Sequence, residues 1–260
     1  MVALKRLFKD WALDIWEKGF ISYIRDLLVD FFLKRKLSFK HPYIIQLIIN
    51  RLKAKTYLEI GVLYGVCFSY LKVKKKIAVD PKISITLPKR LLSSLKNKFY
   101  EMTSDEFFSK FAPKILKRGL DVVFVDGLHT YEQSLKDVLN SLNYLNKGGI
   151  IIMHDCNPHS IEQAYPAKSK NHFKSLLLGR REWCGDVWKT IVYLMSTRKD
   201  LNIFVIDYGD GFGIIQRGTP SKMLNYTTDN IKKMNYDDLA NNRENLLNLK
   251  SLNYFLKNIL

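Results

Sequence analysis

The chain has few cysteines and no long apolar run. Its three cysteines, Cys67, Cys156 and Cys184, are too few and too odd in number for a disulfide framework. Since no secretory leader is recognisable, this predicts a reducing, cytoplasmic location. No apolar stretch reaches the roughly 18 residues of a membrane-spanning helix, which argues against a helical membrane protein.

Acidic residues are scarce relative to basic ones. There are 25 Asp and Glu against 42 Lys and Arg, a formal net charge of +17. Such a balance attracts polyanions such as nucleic acid, an anionic membrane surface or a phosphorylated substrate. The basic residues are spread along the chain, however, so a lysine-rich surface that is merely solvated is an equally good interpretation.

The composition is otherwise that of a globular protein, with three regions. Apolar residues make up 47% of the 260 residues, enough for a full core. Residues 1–55 have apolar residues at helical spacing, which predicts an N-terminal helical extension whose last helix begins at Pro42. Residues 56–217 alternate apolar strands with helical stretches, and residues 218–260 predict a C-terminal helical tail.

The central region predicts an α/β fold with a Rossmann-like, doubly wound sheet of seven strands. Its first strands are nearly continuous in apolar residues, as in a parallel sheet that helices cover on both faces. The last two strands are joined by "YGDG", which predicts an antiparallel hairpin at one sheet edge. Thr130 and Gln133 have the spacing of a capping box at the start of the helix that follows the fourth strand.

Polar residues follow the first three predicted strands. Ligands of open α/β sheets bind outside the carboxyl ends of the strands. Glu59, Gly61 and Gly65 form a turn where the backbone can approach a ligand closely. Asp80 lies 21 residues after Glu59, about the spacing at which an acidic residue meets the ribose hydroxyls of a nucleotide.

The third strand leads into Ser104 and Asp105, which predict either a contact to a nucleotide base or an ordinary helix start. A phosphate cradle is missing, since there is no Gly-x-x-x-x-Gly-Lys-Ser/Thr sequence and the Gly61 turn lacks a third glycine. Together these features predict a cofactor with a nucleoside but no pyrophosphate, namely S-adenosylmethionine.

Ionisable residues also end the fourth and fifth strands. Asp126 and His129 follow "LDVVFV", and His154 with Asp155 follows "GIIIM". A carboxylate at the end of a buried strand needs a partner. An imidazole titrates near neutrality and suits a general base, although a structural histidine at a strand end is the alternative for each.

These motifs resemble the class I S-adenosylmethionine-dependent methyltransferases, in the branch of sugar O-methyltransferases similar to macrocin O-methyltransferase. The resemblance spans about residues 40–216 and is most specific in "DGLHTYE" and "GGIIIMHD". It implies a Rossmann-like fold and methyl transfer to a hydroxyl of a sugar, glycan or other small molecule. The cofactor contacts that it implies are Glu59, Gly61, Gly65, Asp80, Ser104, Asp105 and Asp126.

The resemblance also implies a divalent metal. In the metal-dependent sugar enzymes a carboxylate after strand four and an acidic pair after strand five hold Mg²⁺. Asp126 matches the first position, but the pair is His154-Asp155 here, so that only Asp155 matches. Imidazole is a poor ligand for this hard cation, which leaves two routes to an activated acceptor: Mg²⁺ on Asp126 and Asp155, or base catalysis by His129 or His154.

A predicted insertion between Asn157 and Lys189 carries candidate acceptor contacts. Trp183 and Trp188 are suited to stacking on a sugar face, and Asp186 to binding a hydroxyl or a metal. Tryptophans before an apolar helix are as often part of the core, and both interpretations stay open.

The sequence also allows other functions and suggests partners. Methylation of the amino groups of nucleic-acid bases is disfavoured, since enzymes of that class usually carry Asn/Asp-Pro-Pro-Tyr/Phe after the fourth strand, where this chain has "DGLH". Two alternatives stay open: methylation of an RNA ribose, and a binding domain without catalytic activity. Residues 1–55 combine a local net charge of +7 with aromatic residues. This predicts either a cap over the substrate or a homodimer contact, favoured by the interspersed acids, or a peripheral membrane contact.

Overall fold

The computed structural model describes residues 40–85, 97–165 and 183–258. The helices predicted before residue 40 lie outside the described residues. In chain order the elements are α1 Lys40–Leu52, β1 Thr56–Ile60, α2 Val66–Tyr70, β2 Lys75–Asp80, β3 Asn97–Glu101, α3 Ser104–Lys110, α4 Ala112–Ile115, β4 Leu120–Val125, α5 Tyr131–Leu142, β5 Leu145–Met153, α6 Trp188–Thr197, β6 Leu201–Asp207, β7 Phe212–Arg217, α7 Thr228–Lys233, α8 Tyr236–Leu246, β8 Lys250–Ser251 and α9 Leu252–Asn258.

The strands of the described residues form one sheet in the order β3-β2-β1-β4-β5-β7-β6-β8. The strands β1 to β5 pair in parallel, whereas β7 is antiparallel to both β5 and β6. The predicted Rossmann-like sheet with an antiparallel hairpin is confirmed. The strand count was wrong by one, because β8 pairs in parallel with β6 and covers the hairpin's outer strand. A two-residue polar strand leaves no periodic pattern by which the sequence could predict it.

Two apolar clusters cover the two faces of the sheet. One contains Phe107 of α3, Val138 of α5 and Ile191 of α6, and the other contains Ile44 of α1 and Phe68 of α2. Because both faces are buried, the central strands need apolar residues at nearly every position, which explains their unbroken apolar sequences.

Two predicted helix boundaries differ in the structure. Helix α1 begins at Lys40, so that Pro42 is its third residue and not its first; proline is tolerated in the first turn because its missing N–H has no partner there. The single helix predicted near the C-terminus is divided into α8 and α9. Asn242 has non-helical angles inside α8, and Asn248 adopts a left-handed φ of 45° after it.

The capping box predicted at the start of α5 is formed only in part. Thr130 is the N-cap, and its hydroxyl accepts a hydrogen bond from the Gln133 amide at 3.4 Å. The Gln133 side chain, however, donates to residues of the neighbouring helix α3. In the described ranges, no helix is both long enough and apolar enough to span a bilayer.

Candidate active site at the carboxyl edge of the sheet

The glycine turn after β1 is in close contact with the end of β4. Gly61 has a φ of +88°, and a Cβ placed there would lie 1.9 Å from the carbonyl oxygen of Asp126. Gly65, with a φ of +64°, would direct its Cβ to within 2.4 Å of Ile85. Both positions therefore require glycine, which explains the spacing in the sequence.

Asp80 connects the loops after β1 and β2. One of its carboxylate oxygens accepts a hydrogen bond from the Leu63 amide at 2.9 Å, and the other accepts from the Lys82 amide at 2.7 Å. Each oxygen can accept a second hydrogen bond, so these contacts are compatible with the predicted contact to a ribose.

Glu59 lies on the buried side of the glycine turn and is only 2% exposed. Its carboxylate accepts a 2.6 Å hydrogen bond from the Tyr57 hydroxyl. Burial raises the pKa of Glu59 to about 8, although the Tyr57 hydrogen bond and the Lys76 ammonium group act in the opposite direction. The structure thus shows Glu59 in contact with its own strand and α2, and a direct cofactor contact stays a prediction.

Ser104 and Asp105 begin α3, which agrees with both the base-contact and the helix-start interpretations. A side chain of α5 contacts them there. The side-chain nitrogen of Gln133 lies within hydrogen-bond distance of three acceptors and shares its two N–H groups among them: the Ser104 hydroxyl at 3.2 Å, Asp105 at 3.1 Å and Asp137 at 3.1 Å. Burial raises the pKa of Asp137 to about 6. The sequence analysis missed Gln133 and Asp137 at this site, because their position within an amphipathic helix resembles that of ordinary polar residues.

The four predicted catalytic residues lie together in one cluster. His154 Nδ1 is 3.2 Å from Asp126 Oδ1 and 3.1 Å from Asp155 Oδ1. His129 Nδ1 is 3.1 Å from Asp155 Oδ2, and its Nε2 is 3.5 Å from Asp126 Oδ1. The ends of β4 and β5 thus alternate two imidazoles with two carboxylates.

The carboxylates and the imidazoles of this cluster stabilise each other's charged forms. Burial opposes ionisation of Asp126, but the charge and hydrogen bonds of His154 and His129 outweigh it and hold the pKa of Asp126 below its usual value. Burial likewise opposes protonation of His129, yet the carboxylates of Asp155 and Asp126 raise its pKa to about 9. The same two carboxylates raise the pKa of His154 well above its usual value.

Asp155 adopts a left-handed backbone conformation, with a φ of 58°. Aspartate tolerates this region better than most residues, but such a conformation still costs on the order of 1 kcal/mol. The side chain is 7% exposed and contacts both histidines. The turn after β5 therefore directs the carboxylate into the cluster.

Helix α1 contributes a residue that the sequence analysis missed. His41 Nε2 lies 3.2 Å from His154 Nε2, and the two rings are 4.2 Å apart. These residues are 113 positions apart in the chain, and His41 belongs to a helical region with no motif of its own. Only the three-dimensional fold identifies it.

The residues of the predicted insertion have different environments. Trp188 is 1% exposed and belongs to the core, so the core interpretation is correct for it. Trp183 packs beside the cluster, with its ring 5.4 Å from that of His129 and its backbone oxygen 2.6 Å from His129 Nδ1. Asp186 accepts a hydrogen bond from the Tyr131 amide at 2.8 Å and so holds the start of α5.

Three side chains of the cluster could face a common metal ion, but they do not match the Mg²⁺ that the sequence resemblance implies. The ligand atoms of Asp126, His154 and Asp155 all lie within 4.8 Å of one another. Because Mg²⁺ prefers oxygen ligands and one of these three donors is an imidazole nitrogen, the set does not fit this ion.

Part of the chain is similar to known proteins. Residues 58–156 match the family model described as a methyltransferase domain. An uncharacterised protein of Acanthamoeba polyphaga mimivirus is 27% identical over 128 residues, which cover 44% of this chain and 58% of that protein. The chain thus matches less than two thirds of the length of this relative.

Solved structures share the fold. A Staphylococcus aureus protein provisionally named a caffeoyl-CoA O-methyltransferase is similar with a TM-score of 0.53 and 15% identity, over 82% of this chain and all of that one. The cofactor-bound Rv0187 protein from MTB has a TM-score of 0.50 and 13% identity, over 79% and 95% of the two chains. Residues 58–156 thus resemble a methyltransferase domain, and the sheet has the Rossmann-like fold of these solved structures.

Proposed function

We propose that the chain is an S-adenosylmethionine-dependent O-methyltransferase that acts on a hydroxyl group of a sugar, glycan or other small molecule. One observation carries the proposal: the cluster of two imidazoles and two carboxylates lies directly beside the glycine turn, with Gly61 against Asp126. A cofactor held at the turn and an acceptor held at the cluster would be neighbours, as methyl transfer requires.

The carboxyl edge of the sheet offers the contacts that the cofactor needs. Gly61 and Gly65 allow the tight turn that packs against the end of β4 at this edge, Asp80 is available to the ribose hydroxyls, and Ser104 with Asp105 to the adenine. When bound, S-adenosylmethionine supplies a methyl group already activated by its sulfonium. The chain's own task is then to align the acceptor oxygen and to remove its proton.

His129 is the better placed of the two candidate bases. Its Nδ1 faces the backbone oxygen of Trp183 at 2.6 Å, and a carbonyl oxygen only accepts, so Nδ1 carries the proton. Nε2 of the neutral ring can then take a proton from a hydroxyl group. Because the carboxylates raise the pKa of His129 to about 9, the neutral form, and with it the rate of transfer, should increase as the pH rises towards 9. The His129 side chain is 24% exposed against 9% for His154, and Asp126 and Asp155 stabilise the imidazolium that forms.

Three further observations support O-methylation of a sugar-like small molecule in a cytoplasmic setting. The Trp183 ring lies beside His129, and aromatic rings of this kind stack on sugar faces. The name of the Staphylococcus aureus neighbour agrees with O-methylation. All three cysteines are buried and free, in agreement with a reducing compartment.

The test is methyl transfer from labelled S-adenosylmethionine to fractionated glycans, small molecules, lipids and RNA. We expect label on a hydroxyl of a glycan or small molecule. His129→Gln should lower kcat by about 10²- to 10⁴-fold, the range for loss of a general base, with cofactor affinity retained. His159→Gln is the matched control, because His159 is an exposed histidine outside the cluster. Unchanged kcat in His129→Gln would contradict the assignment of the base, and label confined to RNA would contradict the acceptor class.

A further inference from the structure

We infer that Asp126, His154 and Asp155 bind a divalent transition-metal ion, such as Zn²⁺, Co²⁺ or Mn²⁺, in preference to Mg²⁺. The inference concerns the same site as the proposed methyl transfer and rests on that proposal only for the use of the metal. The binding itself follows from the donor atoms, whether or not a methyl group is transferred there.

The spacing of the donors is that of ligands on one small ion. His154 Nδ1 is 3.1 Å from Asp155 Oδ1 and 3.2 Å from Asp126 Oδ1. Ligands about 2.0–2.2 Å from a common metal lie about 3.0–3.5 Å from each other in octahedral and tetrahedral geometries. All three ligand atoms lie within 4.8 Å of one another, so the groups can face one ion after a small inward movement of the carboxylates.

The neighbours of His154 direct its lone pair to the carboxylates. Its Nε2 is 3.2 Å from His41 Nε2, so a proton on His154 Nε2 has an acceptor there. Without metal, Asp126 and Asp155 favour a proton on Nδ1; a bound metal ion would displace that proton and take the Nδ1 lone pair, while Nε2 keeps its proton. Metal-bound histidines typically donate their second N–H to such a partner, and His41 of α1 is placed to serve as a positioning residue.

The donor set determines the class of metal. Imidazole together with two carboxylates is a common set for first-row transition ions, whereas a site for Mg²⁺ uses oxygens and keeps several waters. The side chains of His154 and Asp155 are 9% and 7% exposed, so water has little access to them. The nitrogen of His154 is therefore the feature that distinguishes this site from one for Mg²⁺.

The experiment is calorimetric titration of the metal-free full chain with Zn²⁺, Mn²⁺ and Mg²⁺, and optical titration with Co²⁺, in the absence of S-adenosylmethionine and acceptor. We expect the transition ions to bind at least about tenfold more tightly than Mg²⁺, with visible Co²⁺ bands that report nitrogen ligation. His41→Ala should weaken binding about 10- to 100-fold, as loss of a partner of a ligand does.

Two variants make the test specific. His154→Asp supplies a third carboxylate, so it should lose affinity for Zn²⁺ and gain affinity for Mg²⁺, while thermal unfolding verifies that the variant is folded. His159→Ala, at an exposed histidine outside the cluster, should bind like the unaltered chain. Equal affinity for Mg²⁺ and the transition ions, or unchanged Zn²⁺ affinity in His154→Asp, would show an ion-paired cluster only and overturn the inference. Metal binding without any cofactor binding would instead contradict the proposed function and leave this inference standing.

Discussion

At the scale of single residues, the buried carboxyl of Glu59 makes stability depend on pH. Burial raises its pKa from 4.5 to about 8, so the folded protein holds a proton there that the unfolded chain has released. This contribution to stability is fully present below about pH 4.5 and is lost as the pH rises to about 8.

Glu59→Gln should remove that dependence, because the amide is neutral at every pH. We expect the free energy of unfolding of the unaltered chain to fall between about pH 5 and 8 relative to that of the variant. Asp137, with a pKa of about 6, contributes to both proteins, so its effect cancels in the difference. Urea unfolding at several pH values measures this, and parallel curves for the two proteins would contradict the pKa assignment.

Gly61 provides a second prediction at this scale. Gly61→Ala should unfold more easily than the parent by well over 1 kcal/mol, because a Cβ would lie 1.9 Å from the backbone oxygen of Asp126. Gly209 is the matched control: its φ is +60°, but no atom lies within 4 Å of its Cβ position. Gly209→Ala should therefore show only the cost of the left-handed backbone, about 1 kcal/mol. Equal melting temperatures of the two variants would show that the contact at Gly61 is not rigid.

The residues of the candidate site differ in how far the sequence could predict them. Asp126, His129, His154 and Asp155 were predicted to meet, because the carboxyl ends of adjacent parallel strands share one edge. His41 could not be predicted, because its contact with His154 joins residues 113 positions apart. The functional roles assigned to the strand-end residues stay predictions.

At the scale of elements, the loop before α6 holds the start of α5 and the cluster together. Asp186 accepts a hydrogen bond from the Tyr131 backbone N–H. Gly185 packs against the His129 backbone, so closely that a Cβ at Gly185 would lie 1.9 Å from the His129 oxygen. This loop therefore fixes the position of His129 relative to α5.

Asp186→Ala should lower the free energy of unfolding by about 1–3 kcal/mol, since the buried Tyr131 amide would lose its acceptor. We also expect lower kcat, because the adjoining His129 would be less well positioned. Asp229→Ala, in the exposed first turn of α7, is the control and should cost well under 1 kcal/mol. Thermal unfolding of both variants measures the two losses of stability, and equal losses would contradict this role of Asp186.

Elements were predictable where their pattern is long and periodic. Except for β3, whose residues are mostly half-buried or exposed, the strands from β1 to β7 contain apolar runs that match their burial on both faces of the sheet. The break between α8 and α9 was not predictable, because it depends on a tertiary contact: the Asn248 side chain donates to the Ile203 backbone oxygen of β6 at 2.9 Å. Helical spacing in the sequence continues through that point.

At the scale of the whole molecule, the N-terminal extension, residues 1–55, has a local net charge of +7 and many aromatic residues. We propose that this extension forms a cap over the substrate or a dimer contact, since acids are interspersed among its bases. Sedimentation with anionic vesicles, for the full chain and for a chain lacking residues 1–35, separates this from membrane attachment. We expect little sedimentation of either protein; strong, salt-sensitive binding that disappears with the deletion would contradict the proposal.

Calorimetric titration of S-adenosylmethionine into the full chain tests whether this cofactor binds at the carboxyl edge of the sheet, beside the candidate catalytic cluster. We expect binding that Asp80→Asn weakens by about 10- to 100-fold, because the ribose hydroxyls lose a charged acceptor. Asp229→Asn, at an exposed position in α7, should leave the Kd unchanged. Failure of the unaltered chain to bind, or one Kd for all three proteins, would contradict the account.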